Sequence, residues 1–186
     1  MKPILALDAD NVLLRFSDYW YALAQARLGR ALPEHREHYH FMDRHELTRE
    51  EYNQVWDYFR EKEGWRNVPF YPRVGDVLDS LAEEFSLVVV TGIPDEALAP
   101  RQEAFRQAGL PVTQILATGH RDTSKSELLA SLNPVGFVDD RALHLQEAAS
   151  AGIRRLYWVD QGYDTPEQVP PGTLRISGIP ALISLL

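Results

Sequence analysis

The chain has 186 residues, 45% of them hydrophobic and 25% charged, which is typical of one globular domain, or a domain with an insert, that buries a hydrophobic core. Its net charge of -8 argues against binding to a nucleic acid polymer, because such surfaces need clustered lysine and arginine. The chain has no cysteine, which excludes disulfides, thiol nucleophiles and thiolate metal sites and fits a cytoplasmic location.

The first predicted element is the apolar run from Ile4 to Leu7, which is typical of a strand buried on both faces. It is too short for a signal peptide, and no stretch reaches the length of a membrane span, so we expect no membrane partner. Two acids follow the run, Asp8 and Asp10. Their spacing on an extended backbone directs both carboxylates to the same side. Ligands of open parallel sheets bind beyond the carboxyl ends of the strands, so this pair predicts a site for a cation or a shared proton.

The segment 15–71 differs from the remainder in holding about two thirds of the aromatic residues. Its patterns predict one helix ending at Leu28 and a second one, opened by a capping box at Thr48, running to Glu61. We therefore predict a small helical domain at 15–71, inserted into a core domain made of 1–14 and 72–186. We favour a structural core over a nucleobase slot for the aromatic residues of the segment, which include Phe16, Trp20, Trp56, Phe59 and Trp65.

From residue 72 onwards, apolar runs alternate with amphipathic stretches. The runs predict strands at 87–90, 114–117, 135–138, 154–159 and 174–176. Stretches whose apolar residues recur at helical spacing lie before the first of these runs and in each of the three intervals between the first four runs. This alternation predicts an α/β fold: a doubly wound parallel sheet, a Rossmann-like core, with a helical insert after the first strand.

Polar residues follow two of these later strands. Thr91 and Gly92 come after the second strand of the chain, and Asp139 and Asp140 after the fourth. Lys125, one of three lysines in the chain, begins a helix between them. Since the carboxyl ends of parallel strands meet at one edge, we expect these residues to converge with the first two acids. Four carboxylates with one lysine indicate a metal, and an all-oxygen ligand set suits Mg²⁺.

These residue types are suited to phosphoryl transfer. A carboxylate can attack phosphorus and form an acyl phosphate, which divides one difficult displacement into two easier ones. A second acid can protonate the leaving oxygen and later deprotonate water. A metal ion, a lysine and a hydroxyl group can neutralise the charge on the phosphoryl oxygens.

The order and spacing of four motifs resemble those of the haloacid dehalogenase (HAD) superfamily. The motifs are Asp8-x-Asp10, the strand that ends in Thr91, the single Lys125, and Asp139-Asp140. The resemblance covers the core from residue 4 to about residue 160. It implies a HAD-like core fold and a hydrolase that acts on a small phosphate ester.

The resemblance implies a role for each matching residue. Asp8 would be the nucleophile and Asp10 the general acid and base. Thr91, Gly92 and Lys125 would bind the phosphoryl group, and Lys125 would also steady the nucleophile.

The resemblance also implies a Mg²⁺ site. Asp8 and the backbone carbonyl of Asp10 would be ligands, Asp140 would be a direct ligand, and Asp139 would act through water. The roles of the last two residues could also be exchanged. Asn11 stands where many relatives have glycine.

The insert resembles the small helical C1 cap of the superfamily. Together with Asp139-Asp140-Arg141, its aromatic content is similar, less specifically, to the 5'(3')-deoxyribonucleotidase branch, whose cap aromatics stack on a base. We therefore expect a Mg²⁺-dependent phosphomonoesterase that works through an aspartyl phosphate, with a nucleoside monophosphate as the leading substrate.

Two alternatives remain open: a phosphomutase on the same scaffold, and a non-catalytic binding or regulatory module. A dehalogenase would have no use for Asp10. A phosphonatase would need a Schiff-base lysine in the cap, where the one lysine, Lys62, lies among glutamates. The sequence predicts no oligomeric state.

Overall fold

The computed structural model describes residues 2–119, 124–164 and 167–186. Within these residues six strands form one sheet in the order β3-β2-β1-β4-β5-β6, with every neighbouring pair parallel. The strands are β1 Ile4–Leu7, β2 Ser86–Pro94, β3 Val112–Gly119, β4 Gly136–Asp139, β5 Arg155–Val159 and β6 Leu174–Ile176. The predicted doubly wound α/β fold is confirmed.

Helices lie between most of the consecutive strands, and a 3₁₀-helix follows the last strand. They are α1 Phe16–Leu28, α2 Phe41–Arg44, α3 Arg49–Glu61, α4 Gly64–Asn67, α5 Val74–Ala82, α6 Asp95–Gln107, α7 Ser126–Leu132, α8 Ala142–Ser150 and the 3₁₀-helix η1 Ile179–Ser184. The first four of them lie between β1 and α5. Thr48 caps α3 with the predicted reciprocal hydrogen bonds to Glu51. In the described part of the chain no helix combines the length and the apolar character that crossing a bilayer requires.

Successive side chains of each strand point to opposite faces of the sheet, so the core has two layers. Leu5 and Leu7 of β1 belong to a hydrophobic cluster on one face of the sheet that includes residues of α5 and η1. Ala6 belongs to the cluster on the opposite face, with Leu129 of α7 and Leu145 of α8. Both faces of the central strand are therefore covered, which explains its continuous apolar sequence.

Strand β2 is longer than the sequence predicts. The apolar run ends at Val90, but the strand continues to Pro94, with an irregularity between Thr91 and Pro94. Pro94 is still aligned with Gly119 at the end of β3. Pairing with a neighbouring strand therefore sets this boundary, and the local pattern does not.

The two connections to the helical segment lie side by side. The backbone N–H of Arg15 donates to the carbonyl of Pro69 over 2.9 Å, and that of Tyr71 donates to the carbonyl of Leu13 over 2.9 Å. The chain thus leaves and re-enters the core at neighbouring points. One hydrophobic cluster continues from β1 into this segment, where it includes Trp20. The division into a core domain and a cap domain stays a prediction.

Candidate active site

The sheet topology brings the polar strand ends together. β1 lies between β2 and β4, and Leu7 is aligned with Val89 on one side and Val138 on the other. The residue after Leu7, Asp8, donates its backbone N–H to the carbonyl of Val138 over 2.8 Å. The predicted convergence of these strand ends on one edge is therefore observed.

Lys125 lies between two of the carboxylates. Its Nζ donates to Oδ1 of Asp8 over 2.5 Å and to Oδ2 of Asp139 over 2.7 Å, and its side chain is fully buried. Burial lowers the pKa of Lys125, but the charges of Asp139 and Asp8 outweigh this effect and raise the pKa above its ordinary value. The ammonium group therefore stays protonated.

Asp139 is fixed from several directions. Besides the bond from Lys125, its Oδ1 accepts from the backbone N–H of Arg141 over 2.8 Å, and Nδ1 of His144 lies 3.2 Å from Oδ2. Burial raises the pKa of Asp139, but Lys125 and His144 outweigh burial and hold the pKa below its usual range. These contacts therefore favour the charged form of Asp139.

Asp8 and Asp140 are in a different electrostatic state. Burial raises the pKa of Asp8 to about 7, and the charges of Asp139 and Asp10 contribute in the same direction. Burial, followed by the charges of Asp139 and Asp8, raises the pKa of Asp140 well above its ordinary value. Tyr163 donates its phenolic proton to Oδ2 of Asp140 over 3.1 Å. Without a further cation, this cluster therefore favours a protonated carboxyl group.

The donor set fits Mg²⁺. Asp8, Asp139 and Asp140 each offer an oxygen, and these atoms lie within 4.8 Å of one another. Among the described residues the cluster contains three carboxylates and the single ammonium group of Lys125, which leaves negative charge uncompensated. A hard divalent cation with oxygen ligands would balance this charge and restore the ionised state of Asp8 and Asp140.

Asp10 has a partner that the sequence analysis missed. Nη2 of Arg101 donates to Oδ1 of Asp10 over 2.8 Å, and the Arg101 side chain is fully buried in α6. A buried arginine is rare unless it is paired. Nothing in the local sequence separates Arg101 from the many other arginines of this chain.

Thr91 and Gly92 line a cavity of about 230 Å³ that also contacts Asp8, Asp10 and Asp140. Thr91 is 1% exposed, and its Oγ1 has no hydrogen-bond partner within the described residues. A buried hydroxyl group that lacks a partner costs free energy, so its retention beside a cavity indicates a ligand that would satisfy it.

The loop after Asp10 is held in a conformation that suits glycine or asparagine. Asn11 has a φ of 61°, in the left-handed region. Its Oδ1 accepts from the backbone N–H of Ser17 over 3.0 Å, and its Nδ2 donates to Oη of Tyr163 over 3.1 Å. Asn11 therefore connects the loop after β1 with α1 and with Tyr163.

Aromatic residues of the helical segment line part of the cavity, which is called the aromatic wall below. They include Phe16, Tyr52, Trp56 and Trp65, and Arg60 also lines the cavity. Other rings of the segment are fully buried: Trp20 packs 4.3 Å from Phe41 between ring centroids. The aromatic residues thus form the core of the helical segment and one wall of the cavity as well.

Solved structures share this fold. A haloacid dehalogenase-like family hydrolase from Streptococcus pneumoniae has a TM-score of 0.69 at 14% identity, over 100% of this chain and 99% of that one. A protein described as a putative phosphoglycolate phosphatase from Lactobacillus plantarum has a TM-score of 0.68 at 15% identity, over 100% of both chains. One described as a putative beta-phosphoglucomutase from Thermotoga maritima has a TM-score of 0.61 at 16% identity, over 98% and 97%. No protein-family model and no curated protein matches this chain. At these identities the likeness concerns the fold.

Proposed function

Because this chain has the fold of the haloacid dehalogenase superfamily, as its four motifs predict, we propose that it is a Mg²⁺-dependent phosphomonoesterase that forms an aspartyl phosphate on Asp8. One observation carries the proposal. Asp8 lines a cavity, accepts a hydrogen bond from a buried ammonium group and has two further carboxylates close by. This arrangement positions a nucleophile and the positive charge that a phosphoryl group needs.

In the first step, an Asp8 oxygen attacks the phosphorus atom of the ester, and the bond between phosphorus and the leaving oxygen breaks. Asp10 protonates that oxygen, so the alcohol leaves neutral. In the second step, Asp10 takes a proton from water as the water attacks phosphorus, which releases phosphate and regenerates Asp8. In the first step the scheme needs Asp8 to be ionised and Asp10 to be protonated.

Thr91, Gly92 and Lys125 bind the phosphoryl group in this proposal. The Thr91 hydroxyl lacks a described partner and lines the cavity, so it is available to donate to a phosphoryl oxygen. Lys125 keeps its charge and contacts Asp8, which allows it to orient the nucleophile and to attract the anion. Gly92 has no side chain to narrow this part of the cavity.

Asp8, Asp140 and the Asp10 carbonyl would hold Mg²⁺, with Asp139 acting through water. When bound, the ion would neutralise charge on the phosphoryl oxygens. Asp139 contacts Lys125, His144 and the Arg141 backbone, which supports the proposal that it acts on the ion through water and not as a direct ligand. Asp140 lines the cavity, which supports direct ligation.

For the substrate we propose a small phosphorylated metabolite in the cytoplasm, with a nucleoside monophosphate as the leading candidate. The aromatic wall, which includes Trp56 and Trp65, offers flat surfaces on which a base could stack. Helices α1 to α4 would act as the cap that closes over it.

The test is phosphate release from a panel of nucleoside and sugar monophosphates, with and without Mg²⁺, by the native protein and by Asp8→Asn. We expect metal-dependent release that the substitution abolishes, and a labelled acyl phosphate after acid quenching of the native protein. Absence of release from every ester, with Mg²⁺ bound, would contradict the proposal. Transfer of the phosphoryl group to a second hydroxyl of a sugar phosphate, without net release, would instead establish a phosphomutase.

A further inference from the structure

Arg101 is a fully buried cation whose charge is directed at the proposed acid and base. Its side chain is 0% exposed, and Nη2 lies 2.8 Å from Oδ1 of Asp10. The guanidinium carbon lies 5.6 Å from the centre of the Trp65 ring in α4. Arg101 therefore contacts both a proposed catalytic group and an aromatic residue of the cavity wall.

The hydrogen bonding of Arg101 is incomplete apart from this contact. Its Nε and Nη1 are buried and have no partner among the described residues. Leaving buried donors unpaired costs free energy, and a guanidinium group can pair with a carboxylate through two parallel bonds. Here the guanidinium group donates a single bond, to Oδ1 of Asp10, so the two oxygens of this carboxyl group are in different environments.

The bond also distinguishes the two oxygens of Asp10. Because Oδ1 accepts from Arg101, a carboxylic proton on Asp10 is directed to Oδ2. A general acid must hold its proton within hydrogen-bond reach of the leaving oxygen, so the orientation of this group affects the rate of proton transfer.

We propose that Arg101 is a positioning residue for proton transfer by Asp10, an inference that rests on the proposed function. Arg101 holds Oδ1 while Oδ2 gives its proton to the leaving oxygen, as that oxygen separates from phosphorus and the Asp8–phosphorus bond forms. Trp65 packs against the guanidinium group and keeps it in place. Arg101 itself exchanges no proton and forms no bond to the substrate.

The leaving group provides the test, because proton donation matters most for a basic leaving oxygen. Phenyl phosphate and 4-nitrophenyl phosphate are similar in shape, but nitrophenolate leaves readily without a proton. The value of kcat/KM is compared for the two esters, since this constant reports the steps up to departure of the alcohol. Arg101→Met is expected to lower it about 100-fold for phenyl phosphate, with a loss at least 10-fold smaller for 4-nitrophenyl phosphate.

Further variants define the role of Arg101. Arg101→Lys keeps a cation and a donor, so we expect partial recovery for phenyl phosphate. Asp10→Asn is expected to show the same dependence on the leaving group, and the double variant should lose little more than Asp10→Asn alone. Arg106→Met is the matched control, because Arg106 lies on the same helix, is 73% exposed in its side chain and pairs with Glu103. The Arg106→Met variant should leave kcat/KM unchanged for both esters.

Equal losses for the two esters in the Arg101 variants would overturn the inference, since a purely structural role affects both equally. Circular dichroism establishes that each variant is folded. If Arg101→Met does not fold, Arg101→Lys carries the same comparison. If the native protein hydrolyses neither these esters nor the monophosphate panel with Mg²⁺, the proposed function fails and the inference fails with it. If the native protein hydrolyses the esters but the Arg101 variants lose kcat/KM equally for both of them, the inference fails while the proposed function stands.

Discussion

The ammonium group of Lys125 donates a hydrogen bond of 2.5 Å to Oδ1 of Asp8, although the two residues are 117 positions apart in the chain. The same nitrogen contacts Asp139, so one buried cation is shared by two carboxylates. Asp140 adds a third carboxylate close to them. Within the described residues this centre therefore contains more carboxyl groups than cations, and its stability depends on the lysine, on protons and on any bound cation.

Lys125→Met should destabilise the protein strongly in the absence of metal. It removes the buried cation between Asp8 and Asp139, and breaking a buried ion pair typically costs about 3–5 kcal/mol of the free energy of unfolding. Urea denaturation with a chelator at pH 7.5 measures the change. Lys62→Met is the matched control, because the Lys62 side chain is 46% exposed. Equal midpoints for the two variants would contradict a role of Lys125 in balancing the carboxylates.

Mg²⁺ should raise the unfolding temperature of the native protein. A ligand that binds only the folded state stabilises it by about 2.7 kcal/mol at 100 times its Kd. Asp140→Asn should remove most of this rise, because it eliminates a proposed direct ligand. Asp76→Asn should retain the rise, since the Asp76 side chain is 77% exposed and belongs to α5. A Mg²⁺ response that Asp140→Asn leaves intact would exclude Asp140 as a ligand.

Tyr163→Phe should weaken Mg²⁺ binding by about 10-fold or more while the protein stays folded. The Tyr163 hydroxyl donates to Oδ2 of Asp140 and accepts from Nδ2 of Asn11. Hydrogen bonds of this kind orient ligating groups, and their loss typically lowers metal affinity 10–100-fold. Titration calorimetry with MgCl₂ measures the affinity. Tyr58→Phe, in a partly exposed position of α3, provides the control and should bind as the native protein does. An unchanged affinity in Tyr163→Phe would show that Asp140 is oriented without this bond.

The helical segment should lose stability in mild acid because of His45. This residue is 1% exposed, its Nδ1 donates to the carbonyl of Pro33 over 2.8 Å, and its Nε2 has no partner among the described residues. Burial, the main cause, lowers the pKa of His45 below its ordinary value of 6.5. Below pH 6.5 the unfolded chain therefore takes up a proton that the folded chain resists, and the free energy of unfolding falls as the pH drops towards the folded-state pKa.

Urea denaturation between pH 7.5 and pH 5.5 measures this effect. His45→Asn should reduce the pH dependence relative to the native protein, because the asparagine amide can still donate but does not titrate. His38→Asn is the matched control, since His38 is exposed. Indistinguishable slopes for the native protein and His45→Asn would show that His45 does not contribute.

The sequence predicted the residues at the strand ends because their placement depends on local patterns and on one general property of parallel sheets. Apolar runs identified the strands, and polar residues directly after them had to lie at a common edge. Lys125 was found by its rarity in an arginine-rich chain. The capping box at Thr48 was equally local and is confirmed. The end of β2 was predicted too early, because pairing with β3 extends it to Pro94.

The sequence by itself determined the α/β class, the order of the elements and the acids, hydroxyl and lysine that meet at the edge of the sheet. Only the tertiary structure decided which groups surround them. Arg101 reaches Asp10 across 91 residues, and Tyr163 reaches Asp140 across 23. These contacts arise from the packing of a helix and a loop against the strand ends, and no periodic pattern in the chain encodes such distances. The charge states of Asp8, Asp139 and Asp140 follow from the same packing, since burial and neighbouring charges set each pKa.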